Sequence, residues 1–146
     1  MIKFAKVLSG LVLLVGFDQI VKYIIRSTGG FYICNKGVAF GWQAPDLFLI
    51  IFWSIFLIWV VFYFISLLKL KKHTGGKFFE SVDSWRIVDD YFILIVAGAF
   101  ANLIDRMRFG CVIDFIDLKI WPVFNLADVF IFLGAVILAI NIFRKK

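Results

Sequence analysis

The chain has 146 residues, 63% of them hydrophobic, with a mean hydropathy of +0.99 and a net charge of +6. Its length suits one domain, but the composition excludes an ordinary soluble one. One histidine and two cysteines exclude a His-based metal centre, a His-based triad and a disulfide scaffold. The basic residues stand in short clusters between apolar runs, as membrane-flanking charges do, so nucleic acid is not expected as a partner.

A bilayer core of about 30 Å takes roughly 20 apolar residues of helix, and four stretches meet that need. The first runs over residues 4–25. Lys3 and Lys6 ahead of an apolar run imitate a secretory signal peptide, but no small-x-small cleavage site follows; Asp18, Gln19 and Lys22 follow instead, so a retained helix is expected. Asp18 and Lys22, four apart, share a helix face. Two readings stay open for them: a structural ion pair with Lys22 reaching outward, or a support for a polar site near the surface.

Residues 26–46 form a loop with β-formers between Phe31 and Trp42. Within it, Asn35-Lys-Gly-Val-Ala-Phe-Gly41 places two glycines where a turn or a close backbone approach is wanted. An ordinary turn-rich loop and a substrate-lining one, with Asn35 clamping a backbone, fit equally well. The second span covers 47–68, and a basic loop follows it. The third covers 91–104, short by its apolar count, and extends back to Trp85 or Ile87. Its small residues Ala97, Gly98, Ala99 and Ala101 suit close helix packing. The loop 105–122 alternates Val112, Asp114, Ile116 and Leu118 against Ile113, Phe115 and Asp117, as a short strand does. The fourth span covers 123–143. Cys34 and Cys111, in the two loops, read either as a disulfide or as unpaired thiols. The five tryptophans read as interface and lipid contacts.

Ten of the sixteen lysines and arginines fall on one side of these spans: Lys3 and Lys6, Lys69, Lys71, Lys72, Lys77 and Arg86, and Arg144, Lys145 and Lys146. Both termini and the middle loop are therefore expected in the cytoplasm. The loops 26–46 and 105–122 then face outward together. Open strand edges cannot sit in lipid, so their strands are expected at the outer interface, as a small sheet. The expected fold is a mainly α membrane domain over 1–146, a four-transmembrane-helix bundle with a small extracytoplasmic β-sheet from the two outer loops.

Five aspartates, Asp18, Asp105, Asp114, Asp117 and Asp128, lie in or beside those outer segments. A carboxylate at bilayer depth costs at least roughly 2.5–3.5 kcal/mol, so each needs a partner, a wet cavity or a task. Asn102-Leu-Ile-Asp105 and Asn125-Leu-Ala-Asp128 echo one another, with Asn and Asp on one helical face. Capping of the fourth span explains Asn125 and Asp128 by itself, but leaves Asp105 and Asp114 unexplained. Arg106 is expected to balance one of the carboxylates. Asp114, between bulky apolar neighbours, is expected to have a raised pKa. Beside Asp128 it would share one proton, leaving one carboxylate as general base on a water and one as acid. In a non-enzymatic four-span protein the aspartates would line an ion path instead, but spans 2 and 4 offer almost no polar groups in their cytoplasmic half.

These pieces resemble the lipoprotein signal peptidase (signal peptidase II) family. The resemblance rests on Asp18-Gln-Ile-Val-Lys22, Asn35-Lys-Gly-Val-Ala-Phe-Gly41, Asn102-Leu-Ile-Asp-Arg106, Gly110-Cys-Val-Ile-Asp-Phe115 and Phe124-Asn-Leu-Ala-Asp128, in that order over nearly the whole chain. It implies a multi-pass aspartic endopeptidase of the bacterial inner membrane, with its site near the outer face; a monomer is expected. Such enzymes remove signal peptides from prolipoproteins by cutting before a diacylglyceryl-modified cysteine. The resemblance also implies Asp114 and Asp128 as the catalytic pair. Asp18, Lys22, Asn35, Gly37, Asn102, Asp105, Arg106 and Asn125 are expected to shape the site or hold substrate. Substrate prolipoprotein and membrane lipid are the expected partners, and no metal or organic cofactor is expected. The chain departs from the family where paired glycines are usual, reading Ala97-Gly98, and it has Ala101 before Asn102.

Overall fold

A computed structural model of the chain describes residues 2–37, 55, 58 and 83–144. The chain divides into two compact units, residues 1–42 with 88–146, and residues 43–87. The second expected span, at 47–68, lies outside the described residues apart from Ile55 and Ile58, as do the lysines of the middle loop.

In order, the elements are helix α1 (Ile2–Ser27), strand β1 (Ile33–Asn35), helix α2 (Asp83–Phe109), strand β2 (Val112–Asp114) and helix α3 (Leu126–Arg144). Among the described residues, one helix is long and apolar enough to cross a membrane, Ala5–Ser27. Its 23 residues rise about 34 Å at 1.5 Å each. Leu126–Asn141 is apolar but shorter. Helix α2 runs eight residues further back than position 91, and its first turns carry Asp83, Arg86, Asp89 and Asp90. Helix α3 begins at Leu126 rather than at 123, because Val123 and Phe124 are still extended: Phe124 bridges antiparallel to Ile116.

The expected sheet is present as two antiparallel strands, pairing Ile33 with Asp114, Cys34 with Ile113 and Asn35 with Val112. Gly110 ends α2. Its φ of 70° suits a residue without a Cβ, and its N–H caps the Arg106 carbonyl at 3.0 Å. The chain then reverses straight into Cys111 and β2.

Burial is inverted relative to a water-soluble protein. Large apolar side chains such as Leu13, Tyr23, Phe132 and Phe143 are exposed, whereas Asp18, Asp105, Asp114 and Asn125 are among the largest side chains fully enclosed. Lipid as solvent accounts for the first fact; the site accounts for the second.

Helices α2 and α3 meet almost backbone to backbone. A Cβ placed on Gly98 would overlap the Ala127 carbonyl oxygen and come within 2.8 Å of Ile131 Cγ1. Ala97, by contrast, is completely enclosed with its methyl group accommodated. Gly98→Ala should therefore push the first turn of α3 away from α2, lowering stability by about 1–3 kcal/mol. Because that turn carries Asp128, turnover should fall with it. A detergent melt and a cleavage assay on the same preparation check both effects.

Candidate active site

Asp114 closes β2. The chain runs outward to an exposed turn and returns through Phe124, whose carbonyl accepts the N–H groups of Phe115 and Ile116 at 3.0 and 2.8 Å. That return places Asn125 and α3 beside Asp114. Asn125 then caps α3. Its Oδ1 accepts the Asp128 N–H at 3.0 Å, while Asp128 Oδ2 accepts the Asn125 N–H at 3.2 Å. This reciprocal pair is a capping box, so the capping reading of Asn125 and Asp128 holds.

Capping is only half of Asn125's role. With Oδ1 committed to the helix, its amide nitrogen must point the other way. It donates to Asp114 Oδ1 at 2.6 Å and to Asn102 Oδ1 at 3.0 Å. The same logic orients two more asparagines. Asn102 Oδ1 also accepts from Lys22 Nζ at 3.2 Å, which turns its nitrogen to Asp128 Oδ1 at 2.8 Å. Asn35 Oδ1 accepts the Gly37 N–H at 2.9 Å, which turns its nitrogen to Asp114 Oδ2 at 2.8 Å. Each carbonyl oxygen is tied to a fixed donor, and each amide nitrogen faces one of two carboxylates.

Beneath them lies a charged cluster. Lys22 Nζ sits 2.8 Å from Asp18 and 2.7 Å from Asp105, and both carboxylates are fully buried. Of the two open readings of the four-residue spacing, the ion pair is present, but Lys22 does not reach outward: it is enclosed, and Asp105 joins the pair. Asp18 also accepts the Ala127 N–H at 3.0 Å, from the open first turn of α3. Asp105 accepts the Ile113 N–H of β2 at 3.1 Å. One lysine thus holds two carboxylates that pin the two backbone segments carrying Asp114 and Asp128. Gln19 completes the set, donating to Asp105 Oδ1 at 2.8 Å and to the Ala101 carbonyl at 3.2 Å. Sequence reasoning passed over Gln19, although a polar amide inside an apolar span, next to Asp18 and three before Lys22, was a readable signal.

Arg106 donates to the Gly37 carbonyl at 3.0 Å, and its charge acts on Asp128, Asp114 and Asp105 through space. Gly37 is therefore held at both its N–H and its C=O. Asp117 is not drawn in. It accepts the N–H of Lys119 at 2.8 Å and pairs with the same side chain at the surface. Cys34 and Cys111 form a disulfide. Among the described residues, no group of three His, Cys, Asp or Glu side chains is placed to hold a metal ion.

Burial raises the Asp114 carboxyl to about 6; the neighbouring Asp128 charge adds to that, and the amides of Asn35 and Asn125 oppose it. Asp128 is half-buried, in the first turn of α3.

The family profile described as Signal peptidase (SPase) II matches residues 10–144. The lipoprotein signal peptidase of Halothermothrix orenii is 35% identical, over 87% of this chain and 76% of its own length. That of Syntrophus aciditrophicus is 35% identical, over 94% and 91%. A bacterial membrane enzyme solved by the in meso method at 2.3 Å superposes with a TM-score of 0.72 at 28% identity, covering 96% of this chain and 88% of that one. A second, solved at 1.9 Å, gives a TM-score of 0.73 at 26% identity, over 97% and 95%. The match runs from the first helix to the last and spans every residue gathered around Asp114 and Asp128, and the chain belongs to the signal peptidase II family.

Proposed function

We infer that the chain acts as a lipoprotein signal peptidase, an aspartic peptidase of a bacterial membrane that removes signal peptides from prolipoproteins. Asp114 and Asp128 are the catalytic pair in this reading. The observation that carries it is the convergence of three separately anchored asparagine amides on these two carboxylates.

In the proposed mechanism, Asp114 holds the shared proton and Asp128 the charge. Asp128 takes a proton from a water held between them, and the resulting hydroxide attacks the scissile carbonyl carbon. Asp114 gives its proton to the carbonyl oxygen. When the tetrahedral intermediate collapses, the proton on Asp128 passes to the leaving amine and one hydroxyl of the intermediate returns its proton to Asp114, which restores the pair. The asparagine amides keep both carboxylates in place and leave lone pairs free for the water and the substrate.

Four transmembrane helices, with both termini in the cytoplasm and the site at the outer face, remain the proposed topology. The disulfide between the two outer loops supports it, because such bonds persist on the oxidising side of a bacterial membrane. The substrate's signal helix would then lie against the spans, with its diacylglyceryl chains in the surrounding lipid.

The test is to incubate the purified enzyme with a diacylglyceryl-modified precursor and with its unmodified twin. Cleavage of the lipidated form alone, just before the modified cysteine, is expected. Equal cleavage of both would remove the lipid requirement from the reading.

A further inference from the structure

The Cys34–Cys111 disulfide takes no part in capping α3 or in the buried charged cluster, yet it lies at the site. Cys34 immediately precedes Asn35 in β1; Cys111 immediately precedes β2 and stands three residues before Asp114. The two strands are three residues long, too short to be a firm join by themselves. Asn35 donates to Asp114 only while β1 lies on β2 in the observed register. Arg106 holds the Gly37 carbonyl, two residues beyond Asn35; the disulfide holds the strand on Asn35's other side.

We propose that the Cys34–Cys111 disulfide is a positioning element for catalysis: it clamps β1 onto β2 so that the Asn35 amide stays on Asp114. The inference rests on the reading of Asp114 as a member of the catalytic pair. Cys34 is exposed, while Cys111 is buried, so a thiol reaches the bond from the Cys34 side. With a dithiol as reductant, its two sulfur-bound hydrogens pass to Cys34 and Cys111 and the dithiol closes to its own disulfide. The clamp is then released without any change in the residues that touch substrate.

The full-length enzyme is compared with Cys34→Ala/Cys111→Ala on the same lipidated precursor, each with and without Asn35→Ala. The double cysteine variant should lose about tenfold or more in kcat, the scale on which small misplacements act, with KM changed less than twofold. Its kcat/KM should hold to a higher pH than that of the wild type, since the Asn35 bond favours the ionised form of Asp114. Asn35→Ala should be costly in the disulfide-bonded enzyme and nearly silent in the double cysteine variant.

Unchanged kcat and pH profile in the double cysteine variant, with Asp114→Asn inactive, would overturn the clamp and spare the catalytic pair. An active Asp114→Asn would overturn both. If the double variant does not fold, the wild type is reduced by the dithiol, its two thiols are confirmed by mass, and the same readouts are taken. Loss of fold on reduction would assign the bond to stability and reject the positioning role.

Discussion

Asparagine in place of Asp114, or separately of Asp128, should abolish processing of a lipidated precursor while leaving the protein folded and inserted. Each substitution keeps the size of the side chain and removes one half of a proton-transfer pair, so a fall in kcat/KM on the order of 10³-fold or more is expected. The structural cost is smaller. Asp114 accepts from Asn35 and Asn125, and Asp128 from Asn102 and the Asn125 N–H. An asparagine at either position still accepts one of its two bonds, so the loss is about 1–3 kcal/mol. Activity and detergent melting measured together separate the two effects. Near-native turnover in either variant would reject the pair.

The wild-type pH profile belongs to the same test. With the Asp114 carboxyl raised to about 6, the singly protonated pair persists below that pH and is lost as pH rises through it. The alkaline limb of kcat/KM, which reports the free enzyme, is expected near there, well above the ordinary carboxylate range. A flat profile between pH 5 and 9 would contradict a shared proton.

What was legible in the sequence was mostly local. The four-residue spacing of Asp18 and Lys22 offered their ion pair as one of two readings, and the outward reach given to Lys22 is not seen. The Asn125–Asp128 spacing offered the cap as one reading, and the alternation around Asp114 marked a strand, of which residues 112–114 form. That the two outer loops pair into a small sheet was legible, but the exact partners across long separations were not. Alternation marks a strand's faces but not its neighbour, so nothing chose residues 33–35 as the mate of 112–114 or settled the state of the cysteines. Asp105 read as another member of the aspartate cluster; only the fold turns it inward onto Lys22 and the Ile113 N–H. Asp117 falls in the opposite set of the alternating run from Asp114. Its own neighbour Lys119, at φ 66°, also offers it a backbone N–H two residues on, and this local capture keeps it at the surface.

Removing the charge of Lys22 should have the largest effect on the fold. Lys22→Met leaves Asp18 and Asp105, both fully enclosed, without their shared cation, and breaking a buried ion network from one side costs about 3–5 kcal/mol. The loss has a second part. Asn102 Oδ1 loses one of its two donors and keeps the Asn125 amide, so the nitrogen that faces Asp128 is held less firmly even in molecules that remain folded. The triple variant Asp18→Asn/Lys22→Met/Asp105→Asn separates the two. It removes the whole charge network, and neutralised networks are tolerated better than broken ones, so it should melt above Lys22→Met. Its turnover should stay below wild type, because Asn102 Oδ1 is then held by the Asn125 amide alone and no longer by two donors. If turnover instead returns in step with stability, Lys22 is a structural counter-ion alone; if stability returns and turnover does not, the lysine reaches the chemistry through the Asn102 amide.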